Sequence, residues 1–300
     1  MKAGVGYAIL AYISWGLLPL YWNLFKGMPS DVVLGHRVVW SFLFVLCLLA
    51  WSKRLKEWKW MFRSKRSLFS VVAASALISA NWLLFIHAVN SGHVVEASLG
   101  YYINPLVSVV LAVFFLGERP KPLQWAAIAL AAVGVALLTI SFGKPPWIAL
   151  ALAVSFAFYG VVKKKSSADA ASGLFGETLV VLPPALIYLL FAGGLDAPFR
   201  SVDAWPLLLA GVATTLPLLW FAQAAKRLPL STVGLIQYVS PTITLAIGVL
   251  LFREPFTNGH AWSFALIWSA LALYTVASLR SARPTRPSRP APASTESGAN

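Results

Sequence analysis

The sequence has few charged side chains and almost no cysteine. Only 11% of its 300 residues are charged, with 10 acidic side chains against 24 lysines and arginines. Soluble domains carry about 25% charged residues. So few charges cannot cover a protein of this size in water, which excludes a soluble globular domain. The single cysteine, Cys47, excludes an intramolecular disulfide and a multi-cysteine metal site.

Apolar side chains take the place of the missing charges. Hydrophobic residues make up 59% of the chain, and the mean hydropathy is +0.74. Tryptophan is abundant, at 13 residues, as expected where amphipathic rings lie at the interface between lipid and water. The composition therefore predicts an all-α integral membrane protein with the lipid bilayer as its solvent.

The net charge of +14 comes from separate basic blocks. Seven basic residues lie within 52–66, three consecutive lysines within 163–165, and four arginines within 280–300. Apolar stretches separate the blocks, so they form no continuous basic face for a phosphate backbone, and nucleic acid is not expected as a partner. We interpret these blocks as anchors at the cytoplasmic surface.

Hydropathy predicts ten transmembrane helices, each close to the roughly 20 residues that cross a bilayer core. The connections are short, and the segment 280–300, rich in Pro, Ser and Arg, is predicted to be a disordered cytoplasmic tail. The predicted spans are 4–24, 31–51, 68–89, 95–116, 122–141, 146–163, 172–194, 205–225, 231–252 and 260–279.

The distribution of positive charge predicts the orientation of these spans. With a cytoplasmic N-terminus, 19 basic residues fall on the cytoplasmic side and four on the other, while Arg37 lies inside the second span. Because basic residues collect on the cytoplasmic side of membrane proteins, both termini are predicted to be cytoplasmic.

An internal repeat divides the chain into two halves of five spans, residues 1–141 and 142–279. The fourth and ninth predicted spans match at an offset of 136 residues. Since five is odd, the second half begins on the opposite side of the membrane, an inverted repeat typical of secondary transporters. The matched residues are Tyr102 and Tyr238, Pro105 and Pro241, and Glu118 and Glu254.

Several short motifs recur in a characteristic order: AYISWGLLPLYW at 11–22, GHRVVWS at 35–41, EASLGYYINPL at 96–106 and QWAAIALAAVGV at 124–135. With the span ends GERP and REPF, they resemble the drug/metabolite transporter superfamily, and within it the RarD group of EamA-type permeases. The resemblance covers residues 1 to about 279. It implies carrier-type transport of small molecules in a bacterial inner membrane.

Charged side chains inside the bilayer are costly, so each one suggests a function. Arg37 lies about 9 Å inside the second span at 1.5 Å per residue. We predict an outer cluster in which Arg37 pairs with Glu96, either as a static contact or as a pair that breaks during transport. The predicted outer cluster is His36, Arg37, His87 and Glu96, and the predicted inner cluster is Glu177, Gln223 and Gln237.

Glu177 is the leading candidate for proton coupling. An unpaired buried carboxyl has a raised pKa and can carry a proton. The alternative is that Glu177 contacts the lysines at 163–165 or the first turn of its own helix. His87 is a weaker proton candidate, because its repeat counterpart is Gln223.

The repeated prolines, Pro105 and Pro241, are predicted to act as hinges near mid-span, because each removes a backbone hydrogen bond. Aromatic and polar residues beside them are candidates for binding a small aromatic or amphiphilic solute. The alternative is that they only pack helices. The candidate substrate-binding residues are Trp15, Trp82, Tyr101, Tyr102, Asn104, Gln237 and Tyr238.

The sequence therefore predicts a secondary transporter, an exporter of a small organic metabolite or drug, with a proton as the candidate coupling ion. The alternatives are an uncoupled carrier and a non-transporting membrane interaction protein. No enzyme, cofactor or metal site is predicted, because the four histidines lack metal-ligand spacing and no catalytic constellation appears. The predicted assembly is a monomer or a homodimer.

Overall fold

The fold is a bundle of α-helices, seen in a computed structural model. The model describes residues 2–25, 28–90, 94–141, 146–195, 197, 202–251 and 258–281; the segment 282–300, predicted to be disordered, lies outside this part. The helices are α1 (Lys2–Trp22), α2 (Ser30–Trp51), α3 (Lys65–Asn90), α4 (Val94–Leu116), α5 (Pro122–Ser141), α6 (Trp147–Lys165), α7 (Ala170–Phe191), α8 (Ala210–Arg227), α9 (Leu230–Ile236), α10 (Val239–Leu250) and α11 (Asn258–Ser281).

Eight helices in the described part are long and apolar enough to cross a membrane. They coincide with the first eight predicted spans, and no strand occurs in the described residues. The chain is therefore an all-α, multi-pass membrane protein. The ninth predicted span is a pair of helices, α9 and α10, of 7 and 12 residues. The tenth corresponds to α11, whose apolar part is Ala261–Ala277.

Local chemistry sets several helix boundaries. The Asp169 carboxylate accepts the backbone N–H groups of Ala171 and Ser172, which have no partner inside the first turn of α7. Gly117 follows the last residue of α4 with a φ of 66°, a conformation that glycine adopts without a steric penalty. Pro122 begins α5, where a missing N–H costs nothing.

The two repeated prolines lie in different local structure, and the prediction that both act as hinges stays a prediction. Pro105 lies inside the continuous helix α4. In the second half the helix stops at Ile236, and α10 begins at Val239, so Pro241 lies in the first turn of α10. A proline there needs no acceptor, and the Gln237 carbonyl, its usual partner four residues earlier, accepts the N–H of Ser240 at 3.0 Å.

Helices from the two halves interleave. The packed pairs include α1 with α8, α3 with α6, α4 with α6, α1 with α10, α2 with α7, α4 with α9 and α5 with α11. At the contact of α4 and α9, a Cβ on Gly234 would lie 3.1 Å from the Pro105 carbonyl oxygen, so only glycine permits this approach without a shift.

We name the two ends of the bundle by their residues. The basic end is where α1 begins, and it carries Arg54, Lys164 and Arg227. The opposite end is where α1 finishes, and it carries Tyr21 and His36. Contacts such as that between Gly4 and Leu228 bring the start of α1 to the end of α8 at the basic end.

Candidate functional site

The broken span contacts α4 through the repeated tyrosine and proline. The Tyr102 hydroxyl donates to the carbonyl oxygen of Pro241 at 3.1 Å. Tyr238 and Gln237, which form the break, are 1% and 5% exposed, respectively. The Tyr238 hydroxyl is buried and has no hydrogen-bond partner among the described residues. A buried hydroxyl without a partner costs about 1–3 kcal/mol, and the hydroxyls of Tyr12 and Thr215 are in the same state, so this feature alone does not identify a ligand position.

The two other polar candidates on α4 have different surroundings. Asn104 is 3% exposed and donates to the Ala153 carbonyl oxygen at 3.1 Å, which joins α4 to α6. The Ser108 hydroxyl also donates to the Asn104 side chain at 3.2 Å. Tyr101 is 44% exposed and packs against Phe85, with ring centroids 6.0 Å apart. Asn104 is therefore engaged within the bundle, and Tyr101 is accessible.

Trp15 lies in an aromatic cluster between α1, α6 and α8. Its ring centroid is 5.6 Å from that of Phe156 and 5.8 Å from that of Phe221. The Phe221 ring stacks on Tyr159, with centroids 5.9 Å apart. Aromatic contacts thus run from half-buried Trp15 to Tyr159, which contacts Glu177.

Arg37 is held by aromatic faces. Its guanidinium carbon lies 4.5 Å from the centroid of the Trp22 ring and 4.9 Å from that of the Trp82 ring. The Arg37 Nε donates to the Thr214 hydroxyl at 3.2 Å. Tyr101 lies close enough to interact electrostatically with the guanidinium. Two of the predicted substrate-binding residues, Trp82 and Tyr101, therefore surround a positive charge.

The predicted outer cluster is only partly described. The His36 ring nitrogen Nε2 is 2.8 Å from the Gly194 carbonyl oxygen, and His36 is 2% exposed. His36 therefore joins α2 to the residues after α7 and does not contact the Arg37 group. The side chains of His87 and Glu96 lie outside the described residues, so the pairing of Arg37 with Glu96 stays a prediction.

Glu177 is paired, so the expectation of an unpaired carboxyl is wrong. Lys163 Nζ lies 2.6 Å from Glu177 Oε1, and the Tyr159 hydroxyl donates to Oε2 at 3.0 Å. Lys163 and Glu177 are each 4% exposed. This is the alternative that links Glu177 to the lysines at 163–165. A narrow cleft borders the pair, lined also by Trp60, Ser70 and Ser166.

The predicted inner cluster does not assemble. Gln223 accepts hydrogen bonds from Arg227, one turn along the same helix, with its backbone and side-chain oxygens. Glu177 contacts α6 rather than Gln223 or Gln237. The signal for this contact is in the sequence: Tyr159 and Lys163 are four residues apart and share a face of α6, and only a short loop separates α6 from α7.

Glu118, which the sequence identified only as a matched residue of the internal repeat, joins the two halves. Its carboxylate accepts the backbone N–H groups of Leu230 at 2.5 Å and Ser231 at 3.1 Å. The Ser231 hydroxyl donates to it at 2.6 Å. A carboxylate at a helix start is favourable because the first backbone N–H groups have no helical partner. Glu118 thus connects the end of α4 to the start of α9.

A second ionic group closes the basic end beside α7. Arg54 lies 2.5 Å from Glu57 and 3.0 Å from Asp169. The hydrogen bond with Glu57 raises the pKa of Arg54 and lowers the pKa of Glu57 from their usual values. Burial favours neutral Asp169, but hydrogen bonds from Ser172 and Ala171 outweigh it and lower the pKa of Asp169.

Within the described residues, no group of three His, Cys, Asp or Glu side chains is placed to hold a metal ion. The arrangement offers a buried ion pair near the basic end, a cation among aromatic rings, and buried tyrosines at the break of the ninth span. These groups suit reversible, non-covalent binding of a solute inside the bundle.

The chain is similar to known membrane transporters over most of its length. A model of the EamA-like transporter family matches residues 2–140 and again residues 145–276. A solved crystal structure is similar to this chain with a TM-score of 0.70 and 18% sequence identity. The match covers 91% of this chain and 97% of the solved chain, and at this identity it supports the fold alone.

Three relatives illustrate the similarity. "Uncharacterized transporter YojE" of Bacillus subtilis is 47% identical, over 93% of this chain and 95% of the relative. "Protein RarD" of Salmonella typhimurium is 44% identical, over 92% and 95%. "Chloramphenicol-sensitive protein RarD" of Pseudomonas aeruginosa is 32% identical, over 90% and 92%. The chain therefore belongs to the EamA-like transporter family, in the drug/metabolite transporter superfamily, with RarD-type relatives.

Proposed function

We propose that the protein is a secondary transporter that exports a small organic solute by alternating access, with a proton as the coupling ion. The chain then crosses the bacterial inner membrane ten times, with both termini and the basic end in the cytoplasm. In this proposal α9 and α10 together form one span, since residues 230–250 are about as long as the roughly 20 residues needed.

The observation that carries the proposal is the symmetry of helix packing. Exchanging each span of the first half with its counterpart in the second maps the most extensively packed pairs onto packed pairs. The pair α1 with α8 becomes α6 with α3, and the pair α4 with α6 becomes the ninth span with α1. The family model also matches each half separately. Two similar halves of opposite orientation provide two states of similar energy around one site.

The contacts at the two ends support a conformation open away from the cytoplasm. At the basic end, Glu118 and Arg54 link helices of both halves. On the other side Tyr101 is 44% exposed, although it interacts with Arg37 on a different helix. We infer that a solute approaches Tyr101 and Arg37 from the opposite end, where both residues lie.

Glu177 is the proposed proton site. The Glu177 carboxyl group has two proposed states. In one it is ionised and paired with Lys163, and in the other it is protonated and no longer forms the ion pair. Exchange between these forms would couple the position of α6 relative to α7 to proton binding. The adjoining cleft, with Ser70 and Ser166, lies on the side of the basic end.

The test uses purified protein in liposomes. A metabolite panel and chloramphenicol, chosen because of the name of one relative, are screened for thermal stabilisation. Solutes that stabilise the protein are then measured by counterflow and by accumulation driven by a pH gradient. We expect counterflow of at least one solute, and accumulation that depends on the pH gradient.

Substitution of the proton site separates the alternatives. Glu177→Gln should keep counterflow and lose pH-driven accumulation, while Glu296→Gln, a carboxylate in the segment 280–300 outside the predicted spans, should keep both. Accumulation by Glu177→Gln unchanged between pH 5 and 8 would contradict the proton site. Counterflow without any pH drive in the wild type would identify an uncoupled carrier. Absence of counterflow for all stabilising solutes would favour the interaction protein.

A further inference from the structure

Arg37 is a cation at membrane depth whose described contacts carry no negative charge. Its partners are the Trp22 and Trp82 rings, at 4.5 and 4.9 Å, and the Thr214 hydroxyl, at 3.2 Å. No carboxylate in the described part of the chain lies within ion-pair distance of it. A guanidinium has five N–H donors, and here the described hydrogen bond uses only the one on Nε.

These contacts hold the guanidinium without neutralising it. A cation over an aromatic face gains about 0.5–2 kcal/mol, whereas a central charge costs about 2.5–3.5 kcal/mol on insertion scales. Two rings and one hydroxyl therefore offset much of the cost of placing Arg37 in the bundle. No described hydrogen bond uses the four N–H donors on the two Nη atoms, which form a planar fork whose geometry suits a carboxylate.

The residues around the guanidinium are partly exposed. Arg37 and Trp82 are half-buried, and Tyr101 is 44% exposed. The five elements around the charge are α1, α2, α3, α4 and α8, which belong to both halves. Phe85, whose ring centroid is 6.0 Å from that of Tyr101, extends the apolar wall. A ligand with one anionic group and an aromatic body matches these surroundings.

We propose that Arg37 is the binding site for the carboxylate of an aromatic organic acid. The carboxylate accepts two parallel hydrogen bonds from the guanidinium, and the ring of the ligand packs against Trp82 and Tyr101. Thr214 fixes the orientation of the fork. This inference names the substrate class of the transporter and rests on the proposed function only for the step of transport.

The test compares carboxylates with neutral amides of the same shape. Purified full-length protein in detergent is titrated with three pairs: benzoate and benzamide, phenylacetate and phenylacetamide, and cinnamate and cinnamamide. Binding is measured by competition against tritiated benzoate, and by thermal shift when benzoate itself does not bind. We expect at least one carboxylate to bind about ten-fold or more tightly than its amide, because only the anion forms a charge-assisted pair.

Substitutions assign the preference to Arg37. Arg37→Gln should reduce the difference between acid and amide to less than about two-fold, and Arg37→Lys should keep part of it, since lysine retains the charge without the fork. Arg63→Gln, the same change at an exposed residue, should leave the preference intact. Thermal unfolding of each variant shows whether it is folded.

The outcomes separate this inference from the transport proposal. Equal binding of acid and amide in all three pairs, or an acid preference that survives in folded Arg37→Gln, would overturn the role of Arg37 whether or not the protein transports. Loss of the preference in Arg37→Gln supports the site even when counterflow is absent, and in that case only the transport proposal fails.

Discussion

The two ends of the bundle are held together by different chemistry. At the basic end the contacts involve charged side chains: Glu118 with the start of α9, and Arg54 with Asp169. At the opposite end the contacts between His36 and Gly194, and between Tyr21 and Pro206, use backbone carbonyl oxygens as acceptors, and one carboxylate, Asp31, accepts from the Tyr188 hydroxyl. Hydrogen bonds to ionised groups are roughly twice as strong as those between neutral groups. Opening the basic end therefore requires charges to separate or to be neutralised.

The two cations inside the bundle, Lys163 and Arg37, also have different partners. Lys163 faces the carboxylate of Glu177 at 2.6 Å, whereas Arg37 faces indole rings and a hydroxyl. A paired charge contributes to holding helices in place. A charge with unused donors is available to a ligand. The basic end is therefore the place to search for coupling, and the Arg37 region the place to search for specificity.

The largest effect on stability is expected from breaking the buried pair at Lys163 and Glu177. Lys163→Met leaves an uncompensated buried carboxylate, which typically costs about 3–5 kcal/mol. The double variant Lys163→Met with Glu177→Met removes both charges and should unfold at a higher temperature than the single variant. Thermal unfolding in detergent measures both, and Lys164→Met is the matched control. A single variant as stable as the double would contradict the pairing.

A smaller effect is expected from removing the contact between Glu118 and α9. Glu118→Ala leaves backbone N–H groups of α9 without their acceptor, at a cost of about 1–3 kcal/mol, so the basic end should open more often. The measurement is the labelling rate of Ser108→Cys in a Cys47→Ala background, because Ser108 is 4% exposed and lies under Gly234.

Labelling of that cysteine should accelerate at least about five-fold in Glu118→Ala, the factor that corresponds to about 1 kcal/mol. Lys121→Ala is the control, since Lys121 is exposed at the same end and its side chain has no described contact with α9. Equal labelling rates of the cysteine with and without Glu118→Ala would mean that Glu118 does not hold α9 in place.

The smallest effect is expected at Asp169. Its pKa is lower in the folded protein than its usual value, so the stability it provides is present at neutral pH and is lost as the pH falls through the folded pKa. Asp169→Ala should remove about 0.5–2 kcal/mol of helix capping. Asp169→Asn should retain much of the cap.

Thermal unfolding between pH 7 and pH 3 separates the stability due to the negative charge of Asp169 from the stability due to helix capping. Below about pH 4 the difference between the wild type and Asp169→Asn should begin to narrow, and it should be lost below the folded pKa of Asp169, where both side chains are neutral. A difference that grows as the pH falls would have the wrong sign and would exclude an ionised Asp169 in the folded state.

Hydropathy predicted the helices well, because a bilayer requires long apolar segments with every backbone group bonded internally. The predicted first eight spans coincide with helices long enough to cross. The break in the ninth was not predicted. Pro105 and Pro241 occupy equivalent sequence positions, and their different effects depend on neighbours, such as the Tyr102 hydroxyl at the Pro241 carbonyl.

The candidate site was harder to predict than the spans. The lysines at 163–165 were interpreted together as anchors, yet consecutive helical residues point about 100° apart. Lys163 therefore reaches Glu177, while Lys164 donates to the Leu228 carbonyl oxygen and Lys165 lies 6.0 Å from the centroid of the Phe115 ring. The aromatic partners of Arg37 come from helices distant in sequence, so local patterns give no signal for them.

The acceptor at the start of α9 recognises the main chain as well as one side chain. Leu230 and Ser231 present peptide N–H groups to Glu118, and proline is the one replacement that removes such a donor outright. Because Leu230 is 2% exposed and the Ser231 hydroxyl also donates to Glu118, the two positions are constrained in size and polarity as well. Natural variants should therefore be depleted in proline at 230 and 231 and should keep an apolar residue at 230.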